Sequence, residues 1–272
     1  MQIWQAIVLG LVQGLTEFLP VSSSGHIAFF QSVFGISDGN SMFFSLILHL
    51  GTLVAVCAVL RKDIIALFKK PFKTLGFLIL ATIPAGVVGL LFEAFDLDEV
   101  FLGKYKGILL AVCFLITAAL LFATEIIAKR NKKQLPLAYD SALAMGFMQA
   151  VAVIPGISRS GSTIFAGTVT GCKRDEVAKF SFLMSIPIIL GGFVVELASK
   201  LYKGELQQEF AGSNGLTYGF SIALGFIISA VAGLFAIKVM LKVIQKANYK
   251  WFSLYLVLLS IICIILHFTY FN

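Results

Sequence analysis

Apolar residues in this chain run in blocks of about twenty, at 42–60, 74–93, 107–127, 177–197, 217–237 and 251–271. A bilayer's hydrocarbon core is crossed by about 20 apolar residues in a helix, so each block predicts a transmembrane helix. Segments 1–34 and 139–172 read differently: an apolar stretch breaks at Pro, Gly and Ser, and a second short stretch follows. Neither half is long enough to cross comfortably. Irregular backbone at membrane depth survives only where protein buries it or where it lines a cavity. Both segments are therefore expected to be re-entrant helix–loop–helix units, giving an all-α polytopic membrane protein with six transmembrane helices.

The two halves resemble each other. "GLVQGLTEFLPVSSSG" at 10–25 aligns with "GFMQAVAVIPGISRSG" at 146–161, pairing Gly10 with Gly146, Gln13 with Gln149 and Gly25 with Gly161, each at an offset of 136. "FSLILHLG" at 44–51 aligns with "FSFLMSIP" at 180–187 at the same offset, and "YKG" at 105 aligns with "YKW" at 249 at an offset of 144. Matches in shared order predict an internal duplication: one membrane domain, 1–272, made of repeats 1–136 and 137–272. Each repeat holds one re-entrant unit and three spans. Three is odd, so the second repeat is expected upside down.

Charge gives an independent test. The linkers 61–73, 128–138, 172–179 and 238–250 hold 16 of the 21 Lys and Arg, whereas 94–106 and 198–216 hold 4. Threading six spans puts the rich linkers on one side, which the positive-inside rule makes cytoplasmic. Both termini are then outside. The two re-entrant loops enter from opposite faces and meet near the midplane, an arrangement known from inverted-repeat proteins.

Composition agrees: 59% of residues are hydrophobic and 13% charged, against about 45–50% and about 25% in soluble domains. The net charge of +7 does not imply nucleic acid, because the basic residues sit in short clusters between apolar runs and form no face. Cys57, Cys113, Cys172 and Cys263 are widely spaced, suggesting neither a zinc site nor a disulfide framework. The N-terminus has no basic region before its apolar stretch, so no cleavable signal peptide is expected.

Two charges interrupt the re-entrant units, Glu17 and Arg159. A charge at that depth needs a partner or a watery cavity. Gln13 and Glu17 are four apart and share a helix face. Pro20 ends that helix, and Ser22, Ser23 and Ser24 offer caps and hydroxyls to the next. The second unit adds Ser158, Arg159, Ser160 and Thr163 after Pro155 and Gly156. Helix N-termini are anion sites, and a guanidinium suits bidentate phosphate binding. Together they predict a phosphate or diphosphate pocket, with Gln13, Ser22, Ser24, Ser158, Arg159, Ser160 and Thr163 as phosphate ligands. The plainer reading is a Glu17–Arg159 strut. His26, in the first motif, is the functional histidine, within reach of Ser23. His49 and His267, inside apolar spans, are read as structural. Glu17 is a candidate general base or metal ligand, and a carboxylate beside a diphosphate invites a divalent cation, Mg or Ca.

These motifs resemble those of the undecaprenyl-diphosphate phosphatases of the bacitracin-resistance type. The first, Glu or Gln, three residues, Glu, then Pro-x-Ser-Ser-x-Gly-His, reads here from Gln13 to His26. The second, Pro-Gly-x-Ser-Arg-Ser-x-x-Thr, reads from Pro155 to Thr163. The resemblance covers essentially the whole chain. It implies hydrolysis of undecaprenyl diphosphate to the monophosphate and inorganic phosphate, recycling the cell-wall lipid carrier. It also implies a divalent cation, a place in the bacterial plasma membrane, and a site opening to the extracytoplasmic side. It marks Glu17, Ser23, His26, Ser158, Arg159, Ser160 and Thr163 as functional. Many members carry Glu where this chain has Gln13; Gln cannot ionise, so a two-carboxylate mechanism is not expected.

The expected catalytic set is Glu17, Ser23, His26 and Arg159, with Ser23 or an activated water attacking. Expected partners are the polyprenyl diphosphate and membrane lipids, with no nucleic acid; a homodimer is left open. The main rival is a secondary transporter or lipid flippase, which shares the architecture but leaves the phosphate-type motifs less explained. An acid-phosphatase-like chemistry needs a second histidine after the arginine, and only His267 is there. A non-catalytic membrane protein is the remaining alternative.

Overall fold

The computed structural model describes residues 2–36, 42–95, 97, 106–130, 134–204, 215–246 and 248–270. Among them are eleven helices and one isolated backbone bridge, Leu135 to Cys172. The first broken unit is α1 (Ile3–Thr16) and α2 (Ser23–Val33), followed by α3 (Met42–Val59), α4 (Arg61–Leu67), α5 (Lys73–Ala94) and α6 (Lys106–Arg130). The second is α7 (Tyr139–Val151) and α8 (Arg159–Val169), followed by α9 (Arg174–Lys203), α10 (Gly215–Lys246) and α11 (Lys250–Tyr270). The chain is an all-α polytopic membrane protein. The Tyr105 match and parts of the linkers 94–106, 128–138, 198–216 and 238–250 lie outside the described residues.

Helices α5, α6, α9, α10 and α11 are each long and apolar enough to cross a membrane. The expected span 42–60 differs: α3 turns into α4 through 79°, and only the pair together meets that test. The apolar run ends at Leu60, where Arg61, Lys62 and Asp63 begin, and the chain bends where charge would otherwise enter hydrocarbon. Outward faces are apolar. On α5, Ile79, Ile83, Val87 and Leu90 are exposed along one stripe, a liability in water and a natural surface for lipid.

Burial on the broken units repeats position for position. On α1 the buried residues are Gln5, Ala6, Leu9, Gly10, Gln13 and Gly14. On α7 they are Ser141, Ala142, Met145, Gly146, Gln149 and Ala150, each 136 residues further on. The packing partners exchange between halves: α1 and α3 lie against α10, while α7 and α9 lie against α5. A Cβ on Gly10 would sit 2.8 Å from the Gly225 carbonyl oxygen, and one on Gly146 2.7 Å from that of Ala81. Small residues allow such close crossings where lipid supplies no hydrophobic drive between helices.

The four basic linkers are tied together at one end of the molecule. Lys179 pairs with Asp63 at 3.5 Å, and Arg174 donates to the Ala128 carbonyl at 2.5 Å. Glu176 accepts from the Leu137 amide at 2.6 Å. Glu125, paired with Lys129 at 2.7 Å, accepts from the Tyr249 amide at 2.6 Å as α11 begins.

Candidate active site

The first loop exists because α1 stops early. Its last helical residue is Thr16, and 17–21 form a turn. Pro20 has no N–H for the Thr16 carbonyl, and its ring clashes with it. The helix therefore ends with Glu17 in its cap. Ser22 then caps α2, its Oγ accepting from the Gly25 amide at 3.3 Å. Ser158 caps α8 in the same way, accepting from the Gly161 amide at 3.1 Å. Donors and acceptors are again 136 apart.

The two loops are stitched to each other. Ser24 Oγ accepts from the Gly156 amide at 3.4 Å, and Ser160 Oγ donates to the Leu19 carbonyl at 3.0 Å. Gly156 holds φ +98°, a conformation that favours glycine. A Cβ on Gly25 would fall 3.1 Å from the Gly156 Cα. At this crossing Arg159 Nη2 pairs with Glu17 Oε1. The other carboxylate oxygen, Oε2, accepts from Gln13 Nε2 at 2.8 Å and from Ser23 Oγ at 2.5 Å. His49 Nε2 stands 3.6 Å from that same oxygen.

Glu17 is thus held by α1, α2, α3 and α8 at once, its side chain 4% exposed. The pair is not sealed. Arg159 is 16% exposed on its side chain, His49 26%, and Ser24 is exposed. Two buried atoms have no partner here: Arg159 Nη1 and Gln13 Oε1. A buried, unpaired guanidinium nitrogen is costly, and a phosphate oxygen is its matching acceptor. The carboxylate of Glu17 and the free amide oxygen of Gln13 are hard donors of the kind Mg and Ca take. Among the described residues no group of three His, Cys, Asp or Glu is gathered, so a cation at these two oxygens would draw its other ligands from phosphate and water.

Of the residues singled out in the sequence, Gln13, Glu17, Ser23 and Arg159 come together, with Ser24 and Ser160 beside them. Three others are engaged within the protein. The Ser22 and Ser158 hydroxyls cap helices, and Thr163 Oγ1 donates back to the Arg159 carbonyl and meets Ser181 Oγ at 2.7 Å. These hydrogen bonds shape the loops, with the Ser22 and Ser158 hydroxyls accepting in them. The expected Ser23–His26 contact does not form. His26 Nδ1 turns back to the Ser22 carbonyl at 2.7 Å, and its Nε2 meets Tyr255 Oη at 2.7 Å. Its ring stacks on Tyr255 at 5.7 Å and meets Phe114 edge-on at 5.5 Å.

His49, read as structural from the sequence, stands beside the site, its Nε2 3.6 Å from Glu17 Oε2. A titratable ring at membrane depth needs a partner, and that was the available signal. Tyr255, on α11, had none in the sequence.

The sequence model of the family described as "Bacitracin resistance protein BacA" matches residues 6–262. Similar curated proteins carry the name undecaprenyl-diphosphatase. That of Carboxydothermus hydrogenoformans is 39% identical, and that of Halothermothrix orenii 41%, each over 98% of both chains. The one from Methanobrevibacter smithii is 37% identical over 96% of both. With the two-loop crossing built from the family's own motifs and a match over nearly the whole length, this chain belongs to the bacitracin resistance protein BacA family.

Proposed function

We propose that this chain hydrolyses undecaprenyl diphosphate to undecaprenyl phosphate and inorganic phosphate, returning the lipid carrier to cell-wall synthesis. The observation that carries the reading is the pair of Glu17 and Arg159, residues 142 apart on two broken hairpins, with the Ser23 hydroxyl on the same carboxylate. A strut would need only the ion pair; it gives no reason for Ser23, or for a free guanidinium nitrogen beside it.

The head group enters where Arg159, His49 and Ser24 are exposed, and the polyprenyl tail stays among the apolar outer faces. Arg159 keeps Nη2 on Glu17 and offers Nη1 to phosphate. The N-termini of α2 and α8 add backbone N–H groups and the positive ends of two helix dipoles. Phosphoryl transfer is mostly positioning and charge stabilisation. Glu17 Oε2 accepts the proton of the attacking hydroxyl, from Ser23 or from a water taking its place. If a Mg or Ca ion binds, Glu17 and the Gln13 amide oxygen would hold it, and it would supply further neutralisation of phosphate charge. His26, tied to Ser22 and Tyr255, orients the start of α2.

The repeated burial stripe, the exchanged packing partners and the joined basic linkers support an inverted repeat of 1–136 and 137–272. They support a plasma-membrane topology with the basic end cytoplasmic and the site open to the other side. The relatives' name favours hydrolysis over the transporter alternative. The test is phosphate release from undecaprenyl diphosphate by purified protein in detergent, with and without chelator. Release that is lost in Glu17→Gln and reduced by chelator is expected. Lipid or ion movement across vesicles with no phosphate released would end the reading.

A further inference from the structure

Ser23, whose hydroxyl meets Glu17, follows a residue in an unusual backbone. Ser22 has φ +68° and ψ 97°. For a residue with a side chain, such a conformation persists only where its surroundings hold it. The holding is visible at the Ser22 carbonyl, which accepts twice from one residue: from the His26 amide at 3.2 Å and from His26 Nδ1 at 2.7 Å. A carbonyl only accepts, so the ring hydrogen is on Nδ1, and Nε2 of the neutral ring carries a lone pair. The Tyr255 hydroxyl, 2.7 Å from Nε2, donates to it. A run of hydrogen bonds thus leads from Tyr255 through His26 to the backbone that aims Ser23.

Tyr255 is itself firmly placed. It comes from α11, 229 positions after His26. Two residues before it, Ser253 Oγ donates to the Ala118 carbonyl of α6 at 2.8 Å, and α11 packs along α6. α6 also supplies Phe114, edge-on to the His26 ring at 5.5 Å, while the Tyr255 ring stacks on it at 5.7 Å and 13°. His26 is 2% exposed and Tyr255 44%. Part of the tyrosine ring therefore lies on the apolar outer surface, with its hydroxyl turned inward. A phenol against hydrocarbon needs a partner for its hydroxyl, and stacking alone would be served by phenylalanine.

We propose that Tyr255 is a positioning residue for the attacking hydroxyl: through His26 it fixes the left-handed turn at Ser22 and so sets the Ser23 hydroxyl on Glu17. The inference rests on the phosphatase reading and gives α11 a part in it. The second loop, with the Arg159 that meets the head group, is held separately, by Thr117 Oγ1 at the Ser158 amide and by Ser160 Oγ on the Leu19 carbonyl. Loss of the Tyr255 hydroxyl therefore falls on the chemical step and not on binding of the lipid.

Tyr255→Phe keeps the ring and its stacking and removes one oxygen. kcat should fall roughly ten- to a hundredfold, the scale of a small misplacement of reacting groups. KM for undecaprenyl diphosphate and the melting temperature in detergent should change little. The second measurement is a double-mutant cycle with His26→Ala. Because Tyr255 acts through His26, Tyr255→Phe should add nothing to the loss that His26→Ala causes; losses that multiply overturn the proposal. So do wild-type kcat in Tyr255→Phe, a loss carried by KM, or a Tyr255→Phe chain that no longer melts cooperatively. If wild type releases phosphate and Tyr255→Phe matches it, only the positioning role fails; if wild type releases none, the phosphatase reading fails and this inference with it.

Discussion

At the scale of single residues, the site is organised around one desolvated carboxylate. Glu17 has both oxygens occupied, by Arg159 on one side and by Gln13 and Ser23 on the other. Removing one partner of a buried pair leaves the other charge uncompensated, which costs more than the pair contributes. Arg159 spans two tasks because its guanidinium has two terminal nitrogens, one on Glu17 and one free. A lysine has one ammonium and cannot hold both. Arg159→Lys is therefore expected to keep the fold and lower turnover by about 10²-fold or more, in line with removal of a preorganised transition-state donor. Phosphate release together with a thermal melt checks both halves; near-normal hydrolysis would count heavily against this centre. Glu17 and Arg159 were legible in the sequence because a charge in an apolar stretch is conspicuous by cost alone. The partners of His49 and Tyr255 were not. They lie 32 and 229 positions away; the depth of His49 signals that it needs a partner but not which one.

At the scale of elements, the broken helices depend on caps. Ser22 and Ser158 do the same work in unlike backbones: Ser158 has φ −75°, an ordinary value, and Ser22 has φ +68°. Alanine at 158 removes an acceptor and should cost about 1 kcal/mol. Alanine at 22 loses the same cap and keeps the left-handed strain, whereas glycine is at ease there and costs only a few tenths as a cap. Melting temperatures in detergent should therefore rank Ser22→Gly above Ser22→Ala, and an inverted order would mean that this cap is not what holds the turn. The serines themselves were visible as a motif; their division of labour was not, because it follows from backbone angles. Span boundaries show the same limit. Apolar runs located every membrane helix, yet α10 continues to Lys246, nine residues past its run. Lys238 and Lys242 are good helix formers and extend the helix beyond the point where hydropathy falls. The bend at Leu60 was equally silent, since the residues on either side are each compatible with a helix.

At the scale of the whole molecule, an acid from residues 1–136 meets a base from residues 137–272, and the proposed inverted repeat accounts for that meeting. Ile3 and Tyr139 open α1 and α7 at equivalent positions, and both side chains are exposed, 40% and 56%. If the repeats are inverted, these two positions face opposite sides of the membrane. The native cysteines are buried, or half-buried at Cys57, so the parent chain supplies a low background for thiol labelling. In intact cells, Ile3→Cys is expected to react with a membrane-impermeant maleimide, and Tyr139→Cys only once the membrane is opened. Tyr139 lies close in sequence to the Leu135–Cys172 bridge and the Leu137–Glu176 hydrogen bond, which tie its segment to the basic end; among the described residues no such tie holds Ile3. Labelling of both from one side would place the loops on the same face. The Glu17–Arg159 pair would then join two hairpins entering together, and opposite entry would no longer explain how a site forms at the midplane.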